Sequence, residues 1–204
     1  MEDGQGGIAL SLGLPPVARR PLSPILGNSP YLRLRTIQAG SISSLELVEG
    51  SIPPLERGQV VVSVKAVGLN FADVFSALGL YGATPKGSFV PGLEFSGVVA
   101  EVGPDSPISV RVGDRVMGCT RFGAYTTRIA VPASQLRPLP EDWSFKQGAA
   151  FLVQGLTVMY GLRQLGQLDR GETALIHSAA GGCGQFALKV RRPAEQMGGF
   201  PIIP

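Results

Sequence analysis

The stretch Thr173-Ala-Leu-Ile-His-Ser-Ala-Ala-Gly-Gly-Cys-Gly184, continued by Gln-Phe-Ala187, reads as a buried strand running into a glycine loop that opens a helix. The spacing Gly182-x-Gly184-x-x-Ala187 fits the dinucleotide fingerprint G-x-G-x-x-G/A. In that motif the first glycine allows a tight turn and the second lets a pyrophosphate touch the backbone. The small third residue lets helix and strand pack closely. The helix N-terminus then offers free N–H groups and a positive dipole end to the phosphates. A plain structural turn is the alternative reading. Ala174, Leu175 and Ile176 before the glycines, and the helix-compatible run Gln185 to Arg191 after them, favour the fingerprint.

An acidic or basic residue that selects NAD or NADP would stand about 20 residues past the glycines. That position falls on Phe200 to Pro204, where there is no charge. Pro193 forbids a long helix, because proline lacks an N–H and clashes with the preceding turn. The closing Gly198-Gly-Phe-Pro-Ile-Ile-Pro204 has no periodicity. The expectation is a chain that stops after its first βα unit, as a truncated product, a splice form or a faulty gene model, with an irregular tail over 193–204.

Composition bounds the rest. The 204 residues are 44% apolar and only 16% charged, which is globular rather than disordered. Net charge is +3, and the pairs Arg19-Arg20 and Arg191-Arg192 are isolated, so nucleic-acid binding has little support. Two cysteines, Cys119 and Cys183, give no disulfide framework. No apolar run reaches membrane-spanning length. Residues 1–30, rich in Gly, Pro, Ser and Leu, read as a disordered tail. No basic region precedes Ile8 to Leu14, and Glu2 and Asp3 argue against an organelle leader. The expected location is cytoplasmic, with organelle targeting through residues 1–30 as the alternative.

From Tyr31 the pattern becomes regular. Strands are expected over Tyr31–Ile37, Leu45–Val48, Val60–Val67, Phe95–Val102 and Gly123–Val131, with Val112–Met117 a turn entering another. Asn70 to Gly79 reads as a helix with Phe71, Val74, Phe75 and Leu78 on one face. Phe145–Gln154 and Leu156–Leu165 also look helical. Short strands with Gly and Pro punctuation argue for a barrel or sandwich. The fold class is therefore α+β, an all-β domain over 31–150 feeding the start of a Rossmann α/β domain over 151–192.

The order Gly68-Leu-Asn-Phe-Ala-Asp73, Gly79-Leu-Tyr81, Pro91-Gly-Leu-Glu-Phe-Ser-Gly97, Val112-Gly-Asp-Arg-Val116, Gly123-Ala-Tyr125, Gly155-Leu-Thr157 and His177 to Gly184 closely resembles the quinone oxidoreductase branch of the medium-chain dehydrogenase/reductases. Zeta-crystallin-like enzymes and the enoyl-reductase domains of polyketide synthases belong to that branch. The resemblance covers roughly Tyr31 to Lys189. It implies a GroES-like barrel carrying the substrate site, then a Rossmann domain for NADPH. It also implies hydride transfer to quinones or α,β-unsaturated carbonyls, with a homodimer possible for the complete protein. The alternative for this exact chain is a non-catalytic truncated product or an interaction module built on the barrel.

The zinc enzymes of that superfamily use a Gly-His-Glu motif and an earlier cysteine. This chain has Leu93 in Gly92-Leu-Glu94 and Asn70 at the cysteine position. Leucine has no lone pair to offer and an amide is a poor zinc ligand, so no metal is expected. By resemblance, Asn70 and Tyr81 line the substrate pocket as catalytic hydrogen-bond donors. Asn70 as a helix cap and Tyr81 as a turn aromatic are the competing readings. Thr157 matches the position that approaches the nicotinamide, against a hydroxyl bonded within its own helix. Ala180, Gly181, Gly182, Cys183 and Gly184 would form the phosphate-side loop through their backbone.

Overall fold

The computed structural model describes residues 31–36, 40–107, 109–169 and 171–190; the expectations for 1–30 and 193–204 lie outside them. β1 (Tyr31–Thr36) and β2 (Leu45–Gly50) form an antiparallel ribbon of their own, with Tyr31 opposite Gly50 and Thr36 opposite Leu45. The main sheet begins with β3 (Gln59–Val67), dense in β-branched residues that suit a pleated, buried surface. It continues with β4 (Glu94–Val102), β5 (Arg115–Cys119), β6 (Arg128–Pro132) and β7 (Leu136–Pro138). The order across the sheet is β6-β3-β4-β5-β7, with every pairing antiparallel.

Val60, Val61 and Val62 are all fully buried. Successive side chains of a strand point to opposite faces, so β3 is covered on both. One cover is the core of Val60, Val62, Phe95, Val99, Val116 and Val131. On the sheet also lies the short helix α2 (Phe145–Ala149), against β3, β4 and β5. Ser96 Oγ donates to the Phe145 carbonyl. A smaller apolar cluster joins Met117, Leu139 and Leu152, with Trp143 and Phe151 against it. It carries the packing from the sheet onto α3 (Leu152–Met159).

The remaining α-helices among the described residues are α1 (Phe71–Ala77) and α4 (Gly182–Lys189). Three expectations need correction. The strand expected over Gly123–Val131 starts only at Arg128, because Gly123 sits at φ 103° and the chain turns there. The helix expected over Phe145–Gln154 is broken between Ala149 and Leu152. There the Ala149 carbonyl lies against Gly68, and the Val153 N–H is claimed from outside the helix. Beyond α3, Tyr160–Leu165 is a π-helical turn, in which the Gly166 N–H donates to the Gly161 carbonyl at 2.8 Å. Thr173 to Ile176 forms no strand, and Leu175 is 63% exposed. A buried parallel strand is made by its neighbours, and among the described residues none flanks this segment.

Gly97 fixes the approach of β4 to β3. A Cβ there would fall 2.2 Å from the Ser63 carbonyl oxygen and 2.9 Å from Val62 Cγ1. Gly97→Ala is expected to cost about 3 kcal/mol, because the obstacle is backbone and cannot turn away. Urea denaturation checks this; an unchanged midpoint would show that the two strands separate without penalty.

Candidate functional site

Two buried carboxylates organise the region between the sheet and the helices. Asp73 lies on α1, and its Oδ2 accepts from the Asn70 backbone N–H at 2.8 Å and from the Tyr125 hydroxyl at 2.9 Å. Glu94 opens β4 and is 1% exposed. Its Oε1 accepts from Asn70 Nδ2 at 3.0 Å and its Oε2 from the Val153 N–H at 2.9 Å. Gly68 makes room for this group, since a Cβ there would meet Glu94 Oε1 at 2.4 Å.

Burial dominates the electrostatics. Desolvation pushes both carboxyls above their ordinary values, against the hydrogen bonds that favour their ionised forms. Their mutual repulsion raises Glu94 further. Burial, and then the neighbouring Asp73, push the Tyr125 phenol up, so it stays a donor. Burial likewise raises the Cys119 thiol, which sits opposite Glu94 in the β4–β5 register.

This anchoring turns α1 over. The buried residues are Asp73, Ser76 and Ala77, while Phe71 is 83% exposed and Val74 and Phe75 are exposed with it. Phe71, Val74 and Phe75 of the apolar face read from the sequence therefore face out. Leu69, Leu80 and Tyr81, which flank α1 in the chain, are exposed as well. Asn70 stands at the N-cap position of α1, with its amide committed to Glu94. Tyr81 lies in the loop after α1, where its carbonyl accepts from the Thr84 N–H.

The glycine loop lies at the far side of α3. Gly181 is the N-cap of α4, and the N–H groups of Gly182, Cys183 and Gly184 make no hydrogen bond to a described residue. These are the orphan donors of a helix start. Ala180 gives its carbonyl to Gln185 Nε2. Gly184 could not be anything larger, since a Cβ would fall 2.4 Å from the Ser178 oxygen and 2.6 Å from Ala179 Cα. Gln154 of α3 packs over Gly182. Thr157 is exposed on α3, and its hydroxyl makes no hydrogen bond to a described residue. An open cleft of ≈ 180 Å³ runs between the π turn, His177 and α4, lined by Val158, Leu162, Ile176 and Cys183 among others.

The structure thus brings Asn70 into a network with α3, and α3 against the glycine loop. It leaves Tyr81 outside that network. Sequence reasoning missed the bridging role of Glu94, the partnership of Tyr125 with Asp73, and Gln154 over the loop. One signal was available: Glu94 is a charge at the head of the apolar run Phe95 to Val102, and a charge that enters a core needs partners. Among the described residues no three His, Cys, Asp or Glu side chains converge in a metal-binding group.

Residues 56–141 match the family described as the alcohol dehydrogenase GroES-like domain. The chain is 39% identical over 148 residues to the synaptic vesicle membrane protein VAT-1 homolog of Rattus norvegicus, covering 72% of this chain and 36% of that one. Among solved structures it is similar to CurK enoyl reductase, with TM-score 0.73 and 30% identity over 79% of this chain and 51% of that one. It is also similar to Escherichia coli quinone oxidoreductase complexed with NADPH, with TM-score 0.71 and 33% identity over 78% and 48%. The chain spans about half the length of these solved relatives.

Asp73 predicts a pH dependence. A carboxyl whose value is raised on folding binds its proton more tightly folded than unfolded. Its stabilising contribution is full below the ordinary carboxylate range and is lost as pH rises through the raised native value. Asp73→Asn should flatten the fall in urea midpoint as pH rises above the ordinary carboxylate range. An unaltered slope would mean that Asp73 ionises as freely in the fold as in the unfolded chain.

Proposed function

Because the chain belongs to the medium-chain dehydrogenase/reductase superfamily, we propose that it serves a zinc-independent, NADPH-dependent reduction of quinones or α,β-unsaturated carbonyls. The observation that carries this reading is the glycine loop. Three unspent N–H groups, on Gly182, Cys183 and Gly184, stand at a helix start where the backbone of Ser178 and Ala179 leaves no room for a side chain on Gly184. That donor set fits a pyrophosphate, with Ala180 and Gly181 completing the loop. When bound, the nicotinamide supplies hydride.

The chain's own residues shape the acceptor side. Exposed Leu69, Phe71, Phe75 and Leu80, on α1 and flanking it in the chain, suit a flat apolar acceptor, and Asn70 is the N-cap residue of that helix. Hydride arriving at such an acceptor leaves negative charge on its oxygen, which donors stabilise. Asn70 Nδ2 keeps one N–H beyond the one given to Glu94. The Tyr81 hydroxyl is the second donor and can pass a proton. Thr157 orients the nicotinamide from α3.

A second reading is an interaction module. Exposed Leu175, in a segment without a paired strand, and exposed Leu156, Tyr160 and Leu165 suit coverage by another polypeptide. Isothermal titration of the 204-residue chain with NADPH separates the two. The described residues give the adenosine half no parallel sheet to rest on, so negligible binding is expected of this chain alone, whereas micromolar binding would show that the glycine loop and α4 are a working site.

Activity is tested on a chimera that replaces residues after Lys189 with the remaining dinucleotide half of the E. coli quinone oxidoreductase. NADPH oxidation with quinones and enones is expected, and a folded, NADPH-binding chimera inactive on both would overturn the proposal. In that chimera Gly184→Val should abolish cofactor binding, because the side chain strikes the Ser178–Ala179 backbone. Tyr81→Phe should slow turnover about tenfold, and an unaffected rate would remove Tyr81 from the catalytic set. Elemental analysis should find no stoichiometric zinc; one tightly held zinc per chain would refute the reading of Leu93 and Asn70.

A further inference from the structure

Helix α3 starts without a cap of its own. Its N-cap residue is Phe151, which has no acceptor, and its first turn holds no acidic residue. Yet the Val153 N–H is satisfied, by the carboxylate of Glu94 from the head of β4. The other oxygen of the same carboxylate holds the Asn70 amide. Both groups hydrogen-bonded to it, the Asn70 amide and the Val153 N–H, are donors, which fits the acceptor-only, ionised form. That form also dictates which way the Asn70 amide turns, since only Nδ2 can point at it.

We propose that Glu94 is a positioning residue that sets the Asn70 amide and helix α3 in one fixed relation. Val153 and Thr157 are one turn apart on the same face of α3, so the carboxylate that holds Val153 also fixes the height and rotation of Thr157. One side chain thereby aligns the donor on the acceptor side with the hydroxyl on the nicotinamide side. Its importance for turnover rests on the roles proposed above for Asn70 and Thr157; the linkage itself does not. Gly68 is part of the device, because a side chain there would displace Glu94.

The test is NMR of the full 204-residue chain, following the Asn70 side-chain amide, the Val153 N–H signal and the Thr157 methyl. Glu94→Gln keeps the volume but presents an amide N–H to one of its donors. It should raise amide exchange at Val153 about tenfold, as loss of a helix cap does, and shift the Thr157 methyl. Amides of Val61, Val62 and Val99 should stay as in the wild type.

A residue that merely fills space would not couple the two sides, so the decisive variant is Asn70→Ala. Loss of the amide should shift the Val153 N–H and the Thr157 methyl, and should shift neither further in the Glu94→Gln background. If Asn70→Ala leaves both at their wild-type positions, the proposal is wrong. Should Glu94→Gln fail to fold, Asn70→Ala alone decides the question by the same two signals. Failure of the reductase reading shows separately, as a folded chimera that binds NADPH without turnover.

Discussion

A carboxylate with 1% of its surface exposed must be paid for in hydrogen bonds, and the fold around Glu94 is arranged to supply them. Gly68 is bare so that the group fits. Asn70 leaves the end of β3 with its amide turned toward it, and α3 begins where the Val153 N–H can reach it. The break between α2 and α3 follows from the same demand, since one continuous helix would spend the Val153 N–H on its own carbonyl ladder. Removing either donor would leave a buried charge without compensation, which costs far more than the bonds themselves return. The sheet and the helices beyond Phe145 are therefore joined by a polar constraint as well as an apolar one.

Much of the sheet was legible in the sequence because alternation and β-branching act locally. The β-branched run at Val60 to Val67 and the run Phe95 to Val102 both became strands within a residue of their expected ends. The glycine loop was legible for the same reason: a helix start with Gly182 and Gly184 is a local backbone requirement. Thr173 to Ile176 failed because a parallel strand depends on neighbours that periodicity cannot report.

Helix α1 was legible as a helix, but not in the direction its apolar stripe faces. Phe71, Val74, Phe75 and Leu78 make a good apolar stripe, and a stripe ordinarily marks the buried side. Here two hydrogen bonds at Asp73, from the Asn70 N–H and the Tyr125 hydroxyl, decide the rotation and send the stripe outward. An outward stripe on the helix whose N-cap is Asn70 is what an apolar ligand with one polar atom would meet. The candidate site was thus half legible: its residues were named, but the two carboxylates that hold them were not. Their partners lie far apart in sequence, 24 residues between Asn70 and Glu94 and 59 between Glu94 and Val153.

The aromatic contacts lead outward from this centre. Arg115 holds the loop before α2 through the Glu141 and Trp143 carbonyls and lies over the Phe145 ring. Trp143 meets Phe151 edge-on with ring centroids 4.9 Å apart, and Phe151 meets Phe186 of α4 in the same way at 5.3 Å. Trp143 is the only tryptophan in the chain. Its indole emission therefore reports, through a single intervening ring, whether the helix that carries the glycine loop is seated on α3. Seating of that loop has a native optical signal, readable in intact protein without a label.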